Sequence, residues 1–162
     1  MWELARGEAM RILAGVLAGT ATVVLAALGG PAGAQLQKTA GAVIQSFGLV
    51  GTWANDCSRN LDAHQPGYKM IFEVPDKGPP TRTIISSDGV KKTTIKADIL
   101  GASPLGTTAL VIQAKVTGGD SDGAPLPASA FLGLDQSFEK TGPDVLYVKG
   151  RDPVRLQRCP GG

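Results

Sequence analysis

Residue types able to do chemistry are sparse in this chain of 162 residues. The single histidine, His64, lies in Asn60-Leu61-Asp62-Ala63-His64-Gln65-Pro66-Gly67, with Asp62 two residues before it and Ser58 six. A nucleophilic relay needs the imidazole held between a hydroxyl and a carboxylate. A turn-rich loop imposes no such geometry, so a solvated loop histidine is expected, not a general base. One His and two Cys also fall short of the usual zinc ligand set. Asp120-Ser121-Asp122-Gly123 imitates the start of a calcium loop, but Phe131 stands where the bidentate Glu belongs. Asp and Gly are ordinary hairpin residues, and that reading is preferred. No phosphate-cradling glycine loop followed by Lys-Ser/Thr is present. The expectation is therefore no enzyme, no metal and no cofactor.

The two cysteines, Cys57 and Cys159, stand one near each end of the domain. Outside the cytoplasm such a pair reads as a disulfide, since nothing else nearby gives the thiols a role. Bridged Cα atoms must lie within about 7 Å, so the first and last strands would be neighbours.

An oxidising compartment is what the opening segment predicts. Arg11 precedes an uncharged run, Ile12–Leu28, which ends in Gly29-Gly30-Pro31 and the small-x-small sequence Ala32-Gly33-Ala34. That pattern predicts a signal peptide over residues 1–34, cleaved before Gln35. Met10-Arg11-Ile12-Leu13 would make a tidier start, so residues 1–9 read as an over-long opening. An uncleaved anchor is the alternative; Gly15, Gly19, Thr20 and Thr22 dilute the run and speak against it. A periplasmic or secreted location follows, with membrane contact only through this segment before cleavage.

Glu3, Glu8, Arg6 and Arg11 leave together, so the net charge stays at +2. So weak and dispersed a charge excludes a nucleic-acid footprint. Lys91, Lys92 and Lys96 form the densest basic group, and Lys92 and Lys96 would share the solvent face of a strand.

Residues 35–162 suffice for one domain. Leu36, Ala40, Val43, Ile44 and Phe47 recur at helical spacing, predicting a short helix within 35–49. Period-two alternation then predicts strands at Val50–Asn55, Tyr68–Val74, Thr81–Ser87, Val90–Leu100, Thr107–Thr117, Ser129–Lys140, Val145–Gly150 and Val154–Cys159. Asp88-Gly89 reads as a two-residue hairpin turn, and Gly118–Pro127 as irregular. On the strand from Ser129, residues Ala130, Leu132, Leu134, Gln136 and Phe138 face together. About eight short strands joined in sequence, with the ends bridged, predict an all-β domain over 50–162: an antiparallel up-and-down barrel. A two-sheet sandwich is the alternative.

Gly51-Thr52-Trp53 resembles the G-x-W signature of the lipocalins and related calycin barrels. The resemblance implies that Trp53 closes one end of the barrel under an arginine from the last strand. Arg158 is the first choice over Arg155 and Arg151, because it shares a face with Val154 and Leu156. Gly51-Thr52-Trp53-Ala54-Asn55 is also similar to the opening of avidin-type barrels, which would make Asn55 and Ser58 ligand contacts. Avidin sites use several tryptophans, whereas Trp53 alone lies beyond the signal, so biotin is not expected. The wider block Phe47–Ser58, with its Gly-Thr-Trp-x-x-Asp-Cys core, is similar to small exported bacterial proteins of unassigned activity.

Two functional expectations follow. The first is a barrel binding a small apolar ligand, with Leu110, Ile112, Leu132 and Leu134 as candidate lining. Those aliphatics could equally fill a narrow barrel. The second is a protein-interaction module, such as a protease inhibitor or envelope scaffold, with an envelope protein as partner and the Gly118–Pro127 loop or the helix as contact.

Overall fold

In the computed structural model, which describes residues 32–59, 61, 65–127 and 134–161, a helix precedes nine strands. The helix α1 (Ala32–Phe47) is followed by β1 (Gly51–Ala54), β2 (Gly67–Glu73), β3 (Thr81–Ser87), β4 (Lys92–Leu105) and β5 (Ala109–Ser121). Then come β6 (Ala124–Pro125), β7 (Gln136–Gly142), β8 (Val145–Val148) and β9 (Val154–Arg158). All pairings are antiparallel, and the order β4-β3-β2-β1-β9-β8-β7-β5 returns to β4. The strands thus form one closed eight-stranded barrel, not two stacked sheets, with β6 outside it on β5.

Alternation decides which side chains fill the cylinder. Trp53, Met70, Phe72, Ile99, Leu110, Ile112, Phe138, Leu146 and Leu156 are all 1% exposed or less. Phe72 and Phe138 meet edge to face, with centroids 5.6 Å apart, a favoured arrangement of ring quadrupoles.

Closure depends on a short seam. β1 and β9 share the pairs Trp53↔Arg158 and Ala54↔Gln157. Past the end of β9, the Cys159 amide donates to the Thr52 carbonyl at 2.8 Å. A disulfide joins Cys57 to Cys159 with Cα atoms 5.5 Å apart, across a sequence separation of 102. A loop of that size is worth about 4–5 kcal/mol in the chain-entropy treatment.

The helix turns into β1 through a Schellman motif. The Gly48 amide donates to the Gln45 carbonyl at 2.9 Å and the Leu49 amide to the Ile44 carbonyl at 3.0 Å. Gly48 supplies the left-handed residue this closure needs, at φ 71°. Ile44 and Leu49, both fully buried, provide its apolar contact. Ala40 is buried as well. A Cβ on Gly41 would stand 3.1 Å from Val74, so the bare glycine permits that close approach.

Several boundaries differ from the sequence reading. The helix starts at Ala32 and ends at Phe47. β4 and β5 extend beyond the expected Leu100 and Thr117, so part of the stretch read as irregular is strand. The tight two-residue hairpin lies at Asp122-Gly123, with φ 50° and 80° and Ser121↔Ala124 flanking it. Asp88-Gly89 instead begins a four-residue connection between the paired Ser87 and Lys92. Its cause is local: the Asp88 carboxylate accepts the Val90 amide at 2.8 Å and the Lys91 amide at 2.7 Å, which holds a wider turn. The first half of the expected strand Ser129–Lys140, through residue 133, lies outside the described residues; β7 begins at Gln136.

Alternate connections fall at opposite ends of an up-and-down barrel. The α1–β1 link, residues 74–80, 106–108 and 143–144 lie at one end, which the helix covers. Residues 55–59, 65–66, 88–91, 122–123 and 149–153 lie at the other.

Candidate functional site

Two arginines point into the barrel, one toward each end. Arg158 on β9 is paired with Trp53 on β1, and its guanidinium carbon lies 4.5 Å from the Trp53 ring centroid. Its Nη1 donates to the Val50 carbonyl at 2.8 Å, its Nη2 donates to the Gly48 carbonyl, and its Nε lies 3.5 Å from Asp144. Lys140 donates to the Phe47 carbonyl at 3.0 Å and lies 5.6 Å from the Phe47 ring centroid. The partly negative C-terminus of α1 therefore receives two cations. The Trp53 indole N–H donates to the Leu49 carbonyl at 2.7 Å, so the fully buried ring keeps no orphan donor. Every polar group named here has a partner, and the helix-covered end is a plug.

Arg82 on β3 is different. It faces inward beside Phe72 and Ala97 and, among the described residues, is the buried charged side chain of the core, at 0% exposure. Its side chain crosses the lumen to the start of β7. Nη1 donates to Gln136 Oε1 at 2.9 Å and Nη2 to the Leu134 carbonyl at 3.2 Å, while Nε has no partner. The guanidinium carbon lies 6.0 Å from the Phe138 ring centroid. Burial holds the Arg82 pKa below the usual guanidinium range, with Tyr68 and the exposed Asp135 acting in the opposite direction. Burial likewise pushes the Tyr68 hydroxyl up to about 12, against the opposing pull of Arg82.

Toward the end away from α1 the lumen is lined, among the described residues, by half-buried side chains in phase with the core. Tyr68, Ile95, Val116, Leu134 and Val154 pack against the core without being sealed in it. With Arg82 and Gln136 they make up the inward face of that half of the barrel.

The residues singled out in the sequence are distributed as follows. Trp53 and Arg158 stack at the helix-covered end, and Cys57 and Cys159 are bonded across the seam. Leu110 and Ile112 are fully buried packing residues opposite Phe138 and Gln136. Leu134 is half-buried beside Ala114, and its carbonyl is the acceptor for Arg82. Leu132, Asp62 and His64 lie outside the described residues. The Asn55 side chain accepts the Tyr68 amide at 2.9 Å, and Ser58 donates to Asp56 at 2.6 Å. Both therefore brace the β1–β2 connection. The Asp122 carboxylate accepts the Lys92 amide at 2.8 Å, and among the described residues no group of three metal-ligating side chains is brought together.

Among the described residues, surface clefts accompany the barrel. One of about 540 Å³ includes Thr108, Glu139, Lys140 and Pro143, and one of about 340 Å³ includes Phe47, Pro104, Thr107 and Lys140. A third, of about 250 Å³, opens on the wall at Thr81, Arg82, Lys96 and Thr117. It sits beside the register shift between Lys96 and Ala97. Leu110, Ile112 and Leu134 line none of the three.

Arg82 escaped the sequence reading. The available hint was Gln136, a polar residue in phase with Leu134 and Phe138; an inward amide calls for a polar partner across the lumen. Among the described residues no helix is long and apolar enough to cross a membrane. No protein-family model, curated protein or solved structure matches this chain.

Proposed function

We propose that this is an exported, non-enzymatic barrel, periplasmic or secreted, that carries a small and largely apolar molecule in the half of its lumen away from α1. The observation that supports this reading is the ring of inward, half-buried Tyr68, Ile95, Val116, Leu134 and Val154. Apolar area left partly wet in this way gains about 25 cal/mol per Å² when a ligand covers it. The signal-like opening and the disulfide fit an oxidising compartment.

Titration with neutral N-phenyl-1-naphthylamine tests the reading. A saturable fluorescence rise with one site per chain is expected, lost in Ile95→Glu but kept in a variant of exposed Val90. A rise that never saturates, or one that Ile95→Glu leaves intact, would overturn it.

A second reading is contact with an envelope protein. Leu105 is 58% exposed on the β4–β5 hairpin, next to Pro104 in the cleft beside α1. Loss of a co-purifying partner in Leu105→Glu, with naphthylamine binding unchanged, would favour this alternative.

A further inference from the structure

We infer that the carried molecule is an amphipathic monoanion, its carboxylate taking the buried, unpartnered Nε edge of the Arg82 guanidinium and its apolar tail lying along Ile95, Val116 and Leu134. This rests on the carrier reading and specifies the ligand class for the same site.

A guanidinium offers five N–H donors in a rigid planar fork. The bonds to Gln136 and Leu134 use two of them, and Nε is left without an acceptor. Both acceptors are neutral, so the positive charge is solvated by dipoles but not balanced. Asp135 acts on it only at a distance, being exposed and joined to it by no ion pair among the described residues. A buried cation in that condition is a net cost to folding, and apolar residues of similar volume often do better in its place. Arg158 shows what a fully employed guanidinium looks like in this same barrel: two carbonyls, an aspartate and an indole face.

What Arg82 lacks is one anion, offered side-on to Nε. A carboxylate is planar and matches that edge with two parallel bonds. A larger or more highly charged head group would have to desolvate more charge than one arginine can balance. The half-buried aliphatic side chains supply the rest of the affinity and disfavour a wholly polar anion. Gln136 and the Leu134 carbonyl hold the guanidinium plane across the lumen, so the cation is oriented before the ligand arrives.

Dodecanoate and dodecanol, equal in chain length and differing in charge, separate the two levels of the argument by calorimetry at neutral pH. The wild-type protein should prefer dodecanoate by about ten- to hundredfold, the range expected of hydrogen bonds to a charged group. Arg82→Met should keep dodecanol binding within about twofold and lose that preference. Equal binding of both by the wild type overturns the inference and leaves the carrier reading standing. So does a preference that survives in Arg82→Met. Binding of neither overturns both. Should Arg82→Met fail to fold, the wild-type ratio still decides, and the carboxyl ¹³C signal of labelled dodecanoate gives a second measure. Bound beside Arg82 the head group should titrate below its free value; an unshifted titration counts against the contact.

Discussion

Arg158 and Arg82 lie in one barrel, face the same way relative to its wall, and behave oppositely. Arg158 is partly exposed and saturated with partners; Arg82 is fully buried and left with an orphan Nε. The first fastens the helix terminus to the closing seam. The second crosses the lumen and fastens little: its two acceptors are neutral, and removing it would free no buried carboxylate. A stabilising residue and a recognition residue can share a type, a fold and an orientation; the completeness of the partner set tells them apart. The same contrast divides the molecule. The helix-covered end is packed and satisfied; among the described residues, the side chains toward the opposite end are half-buried and Arg82 lacks a charged partner.

Substitution tests that division. The largest effect is expected at the covered end from Trp53→Ala, which removes a fully buried indole and should cost about 3–5 kcal/mol in urea unfolding. Next, Arg158→Met should cost about 2–4 kcal/mol by leaving the Gly48 and Val50 carbonyls without their donor. Arg82→Met also strips two acceptors, Gln136 Oε1 and the Leu134 carbonyl, but it removes the cost of a buried, unbalanced cation, so the loss should stay smaller, within about 1 kcal/mol of the wild type. If the two arginine variants lose equal stability, the distinction between the ends collapses. A smaller loss, about 1–2 kcal/mol, is expected for Gly48→Ala, where φ is 71° and a Cβ would approach Lys140 Nζ to 3.2 Å. A stability change below the error of thermal melting would show that α1 is not held by its C-terminal motif.

Acid should act at the other end, and most weakly. Asp56 and Asp88 both lie in connections at the end away from α1, and both titrate below their usual value of 3.8. The cause for Asp56 is its bonds from the Ser58 side chain and amide; for Asp88 it is the Lys91 and Val90 amides. A carboxylate with a depressed folded pKa adds stability that is present above its unfolded pKa and lost as pH falls through the folded one. Amide exchange at Val90 and Lys91 should therefore accelerate beyond its intrinsic pH dependence below about pH 4, before exchange at Leu49 and Trp53 does. Simultaneous acceleration at both ends would contradict the asymmetry.

Much of the architecture was legible from alternation alone, because each strand exposes one face and buries the other. Tyr68, Met70 and Phe72 declared their side this way, as did Leu110 and Ile112. The two Asp-Gly pairs show where such reading stops. Asp88-Gly89 looked like the tighter hairpin, yet the Asp88 carboxylate captures two amides and opens the turn. Asp122-Gly123 takes positive φ at both residues because the long β4 and β5 carry the pairing all the way to it. Turn type therefore depended on strand length, which period-two patterns do not limit sharply. The site was less legible still. Arg82 stands between two threonines in a run that reads equally well with the charge outside, and only its pairing beside Phe72 and Ala97 turns it inward.

The narrow seam between β1 and β9 carries a consequence for biogenesis. A ribosome makes the two partners of that seam near the beginning and the end of the domain, so the cylinder stays an open, curling sheet until its ninth strand emerges. Nascent chains halted before Val154 would present two raw margins, β1 and β8, with no tail to receive the Cys57 sulfur. Export in an unfolded state would suit such a molecule, since assembly and oxidation would then meet on the far side of the membrane. Intermediates paused at that stage are where strand-to-strand aggregation should begin.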